Sequence, residues 1–547
     1  MKSPPSDAIP SSGDEKYRVT TAQIWALGVT ISAQSLAWNL GFAAGFGSFL
    51  IVSLLVGAAY VCLILCLGEV MSALPFAGGA YGLARCTLGF SVGFLVAAFE
   101  IVEYIAYTAT AMMSFTSMLV HIAPAAAIYQ PIVWFLVYIF CLSIHIYGAA
   151  AFWRLNYFFT TVSLVPCIIW IMGSIPYLDY KTQLQPDVIF IDGFHGFMKA
   201  FPSATWLFVG LEALNTAGDE ITDPRVIVPR GQFYAMITLF CTGITSIIIS
   251  AGLPPGIQAW PDVMATWNSG FVLMFHMSDV KATYFSLLGT VGTLYGFIFA
   301  YSKLLTSVGS SNLISKHFQT RFFKNETPAI SLVMGAVVAY LLCSMMYIWP
   351  DTQIPLDNIC MLSAAFAYST QCYGYIFLKK HFTHLNRKFH SPFGVYGAYF
   401  SMSVWVVQII SIAFFQDDDF AAGGVFLSLL IFLYLYYHAV AKHHQVFSKE
   451  EEKILFSTHV TAFNKQRSKK KTSSSNPRLR SSTDASKRST LSFKRSFRKS
   501  KSRSKIIHVD ARRSSPNCGQ DSSQLQERQS SPSKPSQDNS RAQYESP

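Results

Sequence analysis

Apolar residues fill the chain from Ala22 to about Ala441 in long runs that hold almost no Lys or Asp. Each run reaches the roughly 20 helical residues needed to cross about 30 Å of hydrocarbon. Strand-like alternation is absent, which argues against a barrel. The pattern predicts an all-α polytopic membrane protein with about twelve transmembrane helices. Span one is expected from Thr21 to Gly41, span two from Gly47 to Ala73 and span three from Phe90 to Val120. Span four lies within Ile132–Ala149 and span five within Tyr157–Tyr177. Spans seven to twelve fall near Gln232–Leu253, Tyr284–Ser307, Ala329–Ile348, Leu356–Leu378, Val395–Phe415 and Ala421–Ala441.

Span six departs from this pattern, and the rest of the chain reads as a frame for it. The stretch Trp206–Gly231, WLFVGLEALNTAGDEITDPRVIVPRG, begins as a membrane helix and does not end as one. Gly210 loosens it, because Gly is about 1 kcal/mol worse than Ala in a helix interior. Glu212 follows at a depth where a carboxylate is expensive. Asp219, Glu220 and Asp223 then form a cluster, and Pro224 is expected to stop any helix. An apolar span broken near its middle beside an acid marks a binding site inside a transporter. Span one has its own weak point: Ser32, Ala33, Gln34 and Ser35, four small or polar residues in a row, need partners there.

Composition agrees with the pattern. Of 547 residues 51% are hydrophobic and only 13% charged, too few charges to cover a soluble surface. Lys and Arg in short loops set the orientation. With the amino terminus inside, the inner loops carry Arg85, Arg154, Arg225, Arg230, Lys316, Arg321, Lys324, Lys379, Lys380, Arg387 and Lys388. The outer loops carry Lys181 and Lys281, with Lys199 at an edge, and the acidic run Asp417–Asp419. Both termini are therefore expected in the cytoplasm, and the plasma membrane is the expected location. Residues Met1–Lys16 are polar and lack the apolar core of a signal peptide.

Three segments follow from this: a disordered cytoplasmic arm over 1–20, a transport domain over 21–447 and a disordered Ser/Arg/Lys-rich tail over 448–547. Lys465–Arg513 holds eighteen Lys/Arg against two acids, a local charge of +16, so the remainder of a chain of +12 sums to about −4. The tail reads as a solvated segment, or as a contact to anionic lipids that kinases release by phosphorylating its serines. Nucleic acid is not an expected partner. The ten Cys are dispersed, without disulfide or metal spacing. The outer loop His121–Gln130 has no Cys for a disulfide-linked heavy subunit. No nucleophile–base pair and no cofactor motif stands out, so neither catalytic residues nor a cofactor is expected.

Two long motifs carry a resemblance. The first is Glu69-Val70-Met71-Ser72-Ala73-Leu74-Pro75, then Gly78-Gly79-Ala80-Tyr81 and Arg85. The second is Gly210-Leu211-Glu212, Asp219-Glu220 and Asp223-Pro224 through Pro229-Arg230. In order and separation they resemble the span-two/three and span-six signatures of amino acid–polyamine–organocation (APC) superfamily permeases. Trp38-Asn39 and Glu100-x-x-Glu103-Tyr104 place the likeness closest to the ethanolamine permease and amino acid permease branch. The resemblance covers Thr21 to about Ala441. It implies two inverted repeats of five spans, with spans one and six broken at the midplane and two spans appended. It also implies alternating-access transport. Amino-acid permeases usually break span one with glycines that hold a substrate carboxylate. Here the position reads Ser32-Ala33-Gln34, which favours a small amine and leaves the break to side chains.

A substrate ammonium group needs acceptors. Glu212 and the carbonyls of Phe208, Val209 and Gly210 supply them, and Phe208, Trp38 and Tyr104 offer aromatic faces. Glu212 has a second reading, as a structural acid tying span six to a neighbour. Glu100 and Glu103 lie three apart on one helical face, where they repel. That suits proton coupling or a cation path; hydrogen bonds to another span are the alternative. Glu69, Arg85, Asp219, Glu220 and Arg230 are expected at the inner ends of spans two, three and six, as a cytoplasmic gate or as a loop-fixing set. The expected function is secondary transport of a small amine or amino acid. The alternative is a non-transporting nutrient sensor of the same fold. Coupling to protons or sodium, exchange and facilitated uptake all stay open, since span eight offers Thr290, Thr293, Ser302, Thr306 and Ser307 as sodium ligands.

Overall fold

The computed structural model describes residues 18–452, apart from 33, 35–37, 77, 220, 322–326, 384, 449 and 450. The expectations for the amino-terminal arm up to residue 17 and for the basic tail from residue 453 lie outside the described residues. Among those described, the secondary structure is helical, with no extended strand. Nine helices are long and apolar enough to cross a membrane: Phe46–Ala73, Phe90–Ile122, Pro124–Tyr147, Ala149–Tyr177, Pro224–Ser250, Asp279–Ser310, Ala329–Ile348, Gly394–Phe414 and Ala421–His444. In chain order these are spans two to five, seven to nine, eleven and twelve. Span ten, Gln353–His381, is equally long but more polar.

Spans one and six are the interrupted ones. Span one opens as Thr21–Ile31, started by a reciprocal capping box between Thr20 and Gln23. It resumes as a 3-10 helix over Trp38–Ala44. Span six is assembled from Gly193–Lys199 and Phe201–Trp206, a turn over 207–210, and a 3-10 helix over Glu212–Asp219. Gly210 sits in that turn at φ +87°. One expectation is corrected here: Pro224 starts a helix rather than stopping one. Proline lacks an N–H where the first turn needs none, and its fixed φ suits that turn. Span seven therefore begins at Pro224, eight residues before the expected Gln232, and Arg225 and Arg230 ride on its first two turns.

Packing repeats with a period of five spans. Span one lies on seven as span six lies on two; span three lies on ten as span eight lies on five; three on eight is its own counterpart. Two five-span repeats of opposite orientation produce this pairing. Spans three and eight form the centre, with 67% and 78% of their apolar windows buried, whereas span twelve, at 11%, lies on the rim. Span eight lets span one approach closely through Gly292 and Gly296. A Cβ at Gly292 would lie 3.0 Å from Thr30, and one at Gly296 would collide with Ile31. Spans one, two, six and seven pack on one another as a bundle, and spans three, eight, nine and ten as a frame.

Gly210 combines a left-handed φ with a wall: an added Cβ would collide with Ile31 Cγ2 and lie 3.1 Å from Phe297. Gly210→Ala is expected to destabilise the protein by about 2–3 kcal/mol through backbone strain and overpacking. Gly424 of span twelve has nothing within 4 Å of the same added atom. Gly424→Ala should leave the unfolding temperature of detergent-purified protein unchanged or raise it slightly. Equal melting of the two variants would contradict this account of the turn.

Candidate functional site

In hydrocarbon, a carbonyl freed from a helix must find a donor inside the protein. The break in span six frees several, and side chains from neighbouring spans meet alternate ones. Gln34 Nε2 donates to Leu207 O at 3.3 Å, Ser32 Oγ to Val209 O at 3.0 Å, and Gln232 Nε2 to Leu211 O at 2.8 Å. Gln34 also donates to Leu239 O (2.7 Å) and accepts from Thr242 Oγ1 (2.6 Å), so one amide clasps spans one, six and seven. Each bond stabilises by about 1 kcal/mol, and an unmet buried carbonyl costs about 1–3 kcal/mol. Ser32 and Gln34 thus direct their donors at the break itself. Ala33 and Ser35 lie outside the described residues.

The acids meet just past the turn. Glu212 is 3% exposed, Glu100 2% and Glu103 0%. The three carboxyls are close enough to repel one another. Tyr368 donates its hydroxyl to Glu103 Oε1 at 3.1 Å, and Gln371 Nε2 donates to Glu100 Oε1 at 3.3 Å. The second oxygen of each, and both oxygens of Glu212, have no hydrogen-bond partner among the described residues. The hydroxyls of Tyr60, Tyr104 and Tyr368 surround the group, with Tyr60 donating to Tyr368 at 3.3 Å. Three carboxyls buried in one cluster call for a proton or a cation between them.

The aromatic candidates separate. Phe208 packs beside Tyr60, ring centroids 5.6 Å apart, and Tyr104 stacks on Phe297 at 6.0 Å, so both border the acids. Trp38 stacks on Phe49 at 6.5 Å within a cluster that includes Phe42, and its indole N–H donates to Gln34 O at 2.8 Å. It holds the end of the break in span one. Two small cavities flank the break. One borders Met71, Phe76 and Asn215, the other Gln34, Leu239 and Trp267, and each has about 20 Å³, room for a single water. The site is packed shut in this conformation. Among the described residues no cluster of His, Cys, Asp and Glu is arranged to hold a metal ion.

At the face where spans two and ten end, the expected charge set falls into two clasps. Glu69, 1% exposed, receives Lys379 Nζ (2.5 Å), Arg387 Nε (3.1 Å), Tyr375 OH (2.8 Å) and Ser391 N (2.9 Å). Arg85 instead reaches past span twelve. It binds both Glu451 oxygens at 3.0 and 3.1 Å and Val446 O at 2.7 Å, between the rings of Phe90 and Phe447. Glu451 also accepts from Ser311 at the end of span eight (3.3 Å). Burial beside this carboxylate pushes the Cys86 thiol up to about 12. Asp223 pairs with Lys388 at 3.0 Å, and Arg230 is exposed. Asp219 ends the 3-10 helix of span six, and Glu220 lies outside the described residues.

Several of these residues are absent from the sequence reading. Tyr368, Gln371 and Tyr375 recur at helical spacing in span ten, a polar stripe visible in the sequence. Glu451 has a subtler signal: Ser448 N donates to its carboxylate (2.8 Å) and its N–H to Ser448 Oγ (3.2 Å), a capping box read as Ser-x-x-Glu. Gln232 and Thr242 look like ordinary polar residues of a span until the break shows what they meet.

The family model for amino acid permeases matches residues 20–450. The chain is 22% identical over 447 residues to isp5 of Schizosaccharomyces pombe, a putative amino-acid permease of the sexual differentiation process; the match covers 75% of this chain and 74% of isp5. It is 23% identical over 239 residues to the D-serine/D-alanine/glycine transporter of Escherichia coli, covering 42% of this chain and 49% of that protein. S-adenosylmethionine permease GAP4 of Candida albicans is 24% identical over 298 residues, 50% of this chain and 47% of GAP4. The chain thus spans about half the length of the last two, and 64% of an uncharacterized transporter of Rhizobium meliloti. With the pattern matched from the first span through the last, this chain belongs to the amino acid permease family of the APC superfamily, integral multi-pass membrane transporters rather than enzymes.

Proposed function

We propose that this protein carries a small ammonium-bearing solute across the plasma membrane by alternating access, driven by protons. The solute is a small amino acid or an ethanolamine-like amine. One observation carries the reading: Glu212, buried at the break, has both oxygens unpartnered among the described residues and two further carboxyls against it. An ammonium group beside Glu212, or a proton on the cluster, relieves that repulsion. Phe208 and Tyr104 supply faces for the cation. The name of the E. coli relative makes glycine, D-alanine and D-serine the first amino acids to test, and the Trp38-Asn39 motif makes ethanolamine the first amine. Protons are favoured over sodium because the groups that meet at the break are three buried carboxyls, each with an oxygen free of partners among the described residues and able to take up a proton.

Of the two clasps, only that of Glu69 joins bundle to frame: span two on one side, span ten and the stretch after it on the other. We assign it the inner gate, with both termini cytoplasmic. Lys379 is partly exposed, whereas Glu69 and Arg387 are buried, so opening this clasp must bring water to the Glu69 carboxylate. Arg85 ties the frame to the root of the tail and acts as a strut.

Glu212→Gln is expected to abolish uptake of radiolabelled glycine or ethanolamine into proteoliposomes. Glu103→Gln should permit exchange yet lose accumulation driven by a pH gradient. Uptake of neither compound by the parent protein, or full uptake by Glu212→Gln, would sink the reading. A nutrient sensor would signal without flux and lose its signal when residues 453–547 are deleted, while a transporter would still accumulate solute.

Arg85→Glu should lower stability by about 3–5 kcal/mol, since it leaves buried Glu451 facing a like charge. Adding Glu451→Arg should recover much of that loss in unfolding temperature. Failure of the double variant to melt above the single one would contradict the pair.

A further inference from the structure

We propose that Asp357 is the entry-side proton carrier of this transporter, handing protons along the seam between spans three and ten to Glu103. The proposal rests on the proton-coupled reading above and names the residue that would load it. Asp357 lies just over one turn into span ten, at the end of that helix opposite the Glu69 clasp. Thr110 of span three donates its hydroxyl to Asp357 Oδ1 at 2.6 Å. Neither the acid nor its partner belongs to the break.

The seam is continuous on both helices. Span three presents Glu100, Glu103, Tyr107 and Thr110 on one face, at alternating spacings of three and four. Span ten answers position by position. Below the Thr110–Asp357 bond, Tyr107 OH meets Met361 Sδ at 3.2 Å. Next, the Cys360 thiol donates to Glu103 O at 3.2 Å and Tyr368 OH to Glu103 Oε1 at 3.1 Å. Gln371 then meets Glu100, and Tyr375 meets Glu69. Polar groups thus line the interface of spans three and ten from Thr110 to Glu100, and Tyr375 carries the series on to Glu69 of span two, in helices otherwise rich in apolar side chains.

Position along the seam gives Asp357 its role. Its residue is partly exposed, whereas Glu103 is wholly buried, so Asp357 is the acid of the series placed nearest the surface. Thr110 stands two turns above Glu103, about 10 Å along the helix. A proton covers that gap through water admitted when this face opens. The transfer leaves Asp357 a carboxylate and Glu103 a neutral acid, and no other bond changes. Cys360, one turn on along the same helix, is the ionisable group that both Asp357 and Glu103 act on, and its thiol donates to Glu103 O. Asp418, from the link between spans eleven and twelve, is met by the adjacent Asn358 at 3.4 Å. A purely structural Asp357 would only pin span three to span ten through Thr110.

The test uses the full-length chain in liposomes loaded with a pH-sensitive dye, given glycine in one arm and ethanolamine in the other. The parent protein should acidify the lumen as it takes up solute. Asp357→Asn, which keeps an acceptor for Thr110, should slow that acidification by about tenfold or more. It should also flatten the dependence of uptake on external pH, while exchange of labelled for unlabelled solute stays within about twofold of the parent. Asp357→Glu should restore coupling. Parent-like acidification by Asp357→Asn, or equal loss of exchange and net uptake, would overturn the proposal. Uptake by the parent protein without acidification would instead overturn the proton-coupled reading, and this proposal with it.

Discussion

A broken helix in hydrocarbon must find donors for the carbonyls it releases, and the rest of this structure depends on how that demand is met. Hydrocarbon offers no hydrogen bonds at that depth, and each unmet group costs more than one hydrogen bond contributes. Ser32, Gln34 and Gln232 answer Val209, Leu207 and Leu211 from spans one and seven. The turn is thereby held by side chains of the spans packed in the same bundle. Gln34 has no slack: both ends of its amide are engaged, by two carbonyls and by the Thr242 hydroxyl. A span-one break made with glycines would leave backbone N–H groups to meet a ligand. A break braced by Ser and Gln directs donors inward, and the polarity that remains for a ligand is negative.

That polarity comes from three carboxyls placed by different means. Glu100 and Glu103 share a face of span three, the central helix of the frame, where few motions reach them. Glu212 hangs from the first turn after Gly210, in the bundle. On the proposed alternating-access reading, an acid in the bundle set against two in the frame makes the electrostatics of the site depend on conformation, because their separation changes when bundle and frame part. Proton affinity and solute affinity then vary together, as coupling requires. The tyrosine shell supports this division. Tyr60 of span two and Tyr368 of span ten join the two halves by a single hydroxyl–hydroxyl contact of 3.3 Å, a bond that forms and breaks at small cost.

Much of this was legible in the sequence, for identifiable reasons. Apolar runs of fixed length announce spans, and Gly210 followed by Glu212 announces the break. The Pro224 boundary was misread because proline is a stop signal inside a helix and a start signal at its first position, and only the geometry at Asp223 tells the two apart. Glu69 and Arg85 were both recognised, yet their partners were not: Lys379 and Arg387 had been counted only as orientation signals, and Glu451 lies beyond the last span, where composition says little. Asp357 was passed over because an acid near a span end reads as an interfacial residue. Its place in a seam requires knowing that span ten faces span three.

On the proposed reading, the same seam also limits how a solute and a proton share the site. Tyr368 and Gln371 each occupy one oxygen of Glu103 and Glu100, leaving one oxygen on each for a proton. A neutral Glu103 has an O–H to donate, and the unpartnered Glu212 carboxylate is the acceptor nearest to hand. That bond would hold Glu212 in place and leave its second oxygen for an ammonium group. A proton on Glu103 then prepares the solute seat instead of competing for it, because the two cations sit on different oxygens of a shared pair. Were the proton to reside on Glu212 itself, solute entry would expel it and the carrier would work as an exchanger. The choice between symport and exchange therefore reduces to which of two adjoining carboxyls holds one hydrogen.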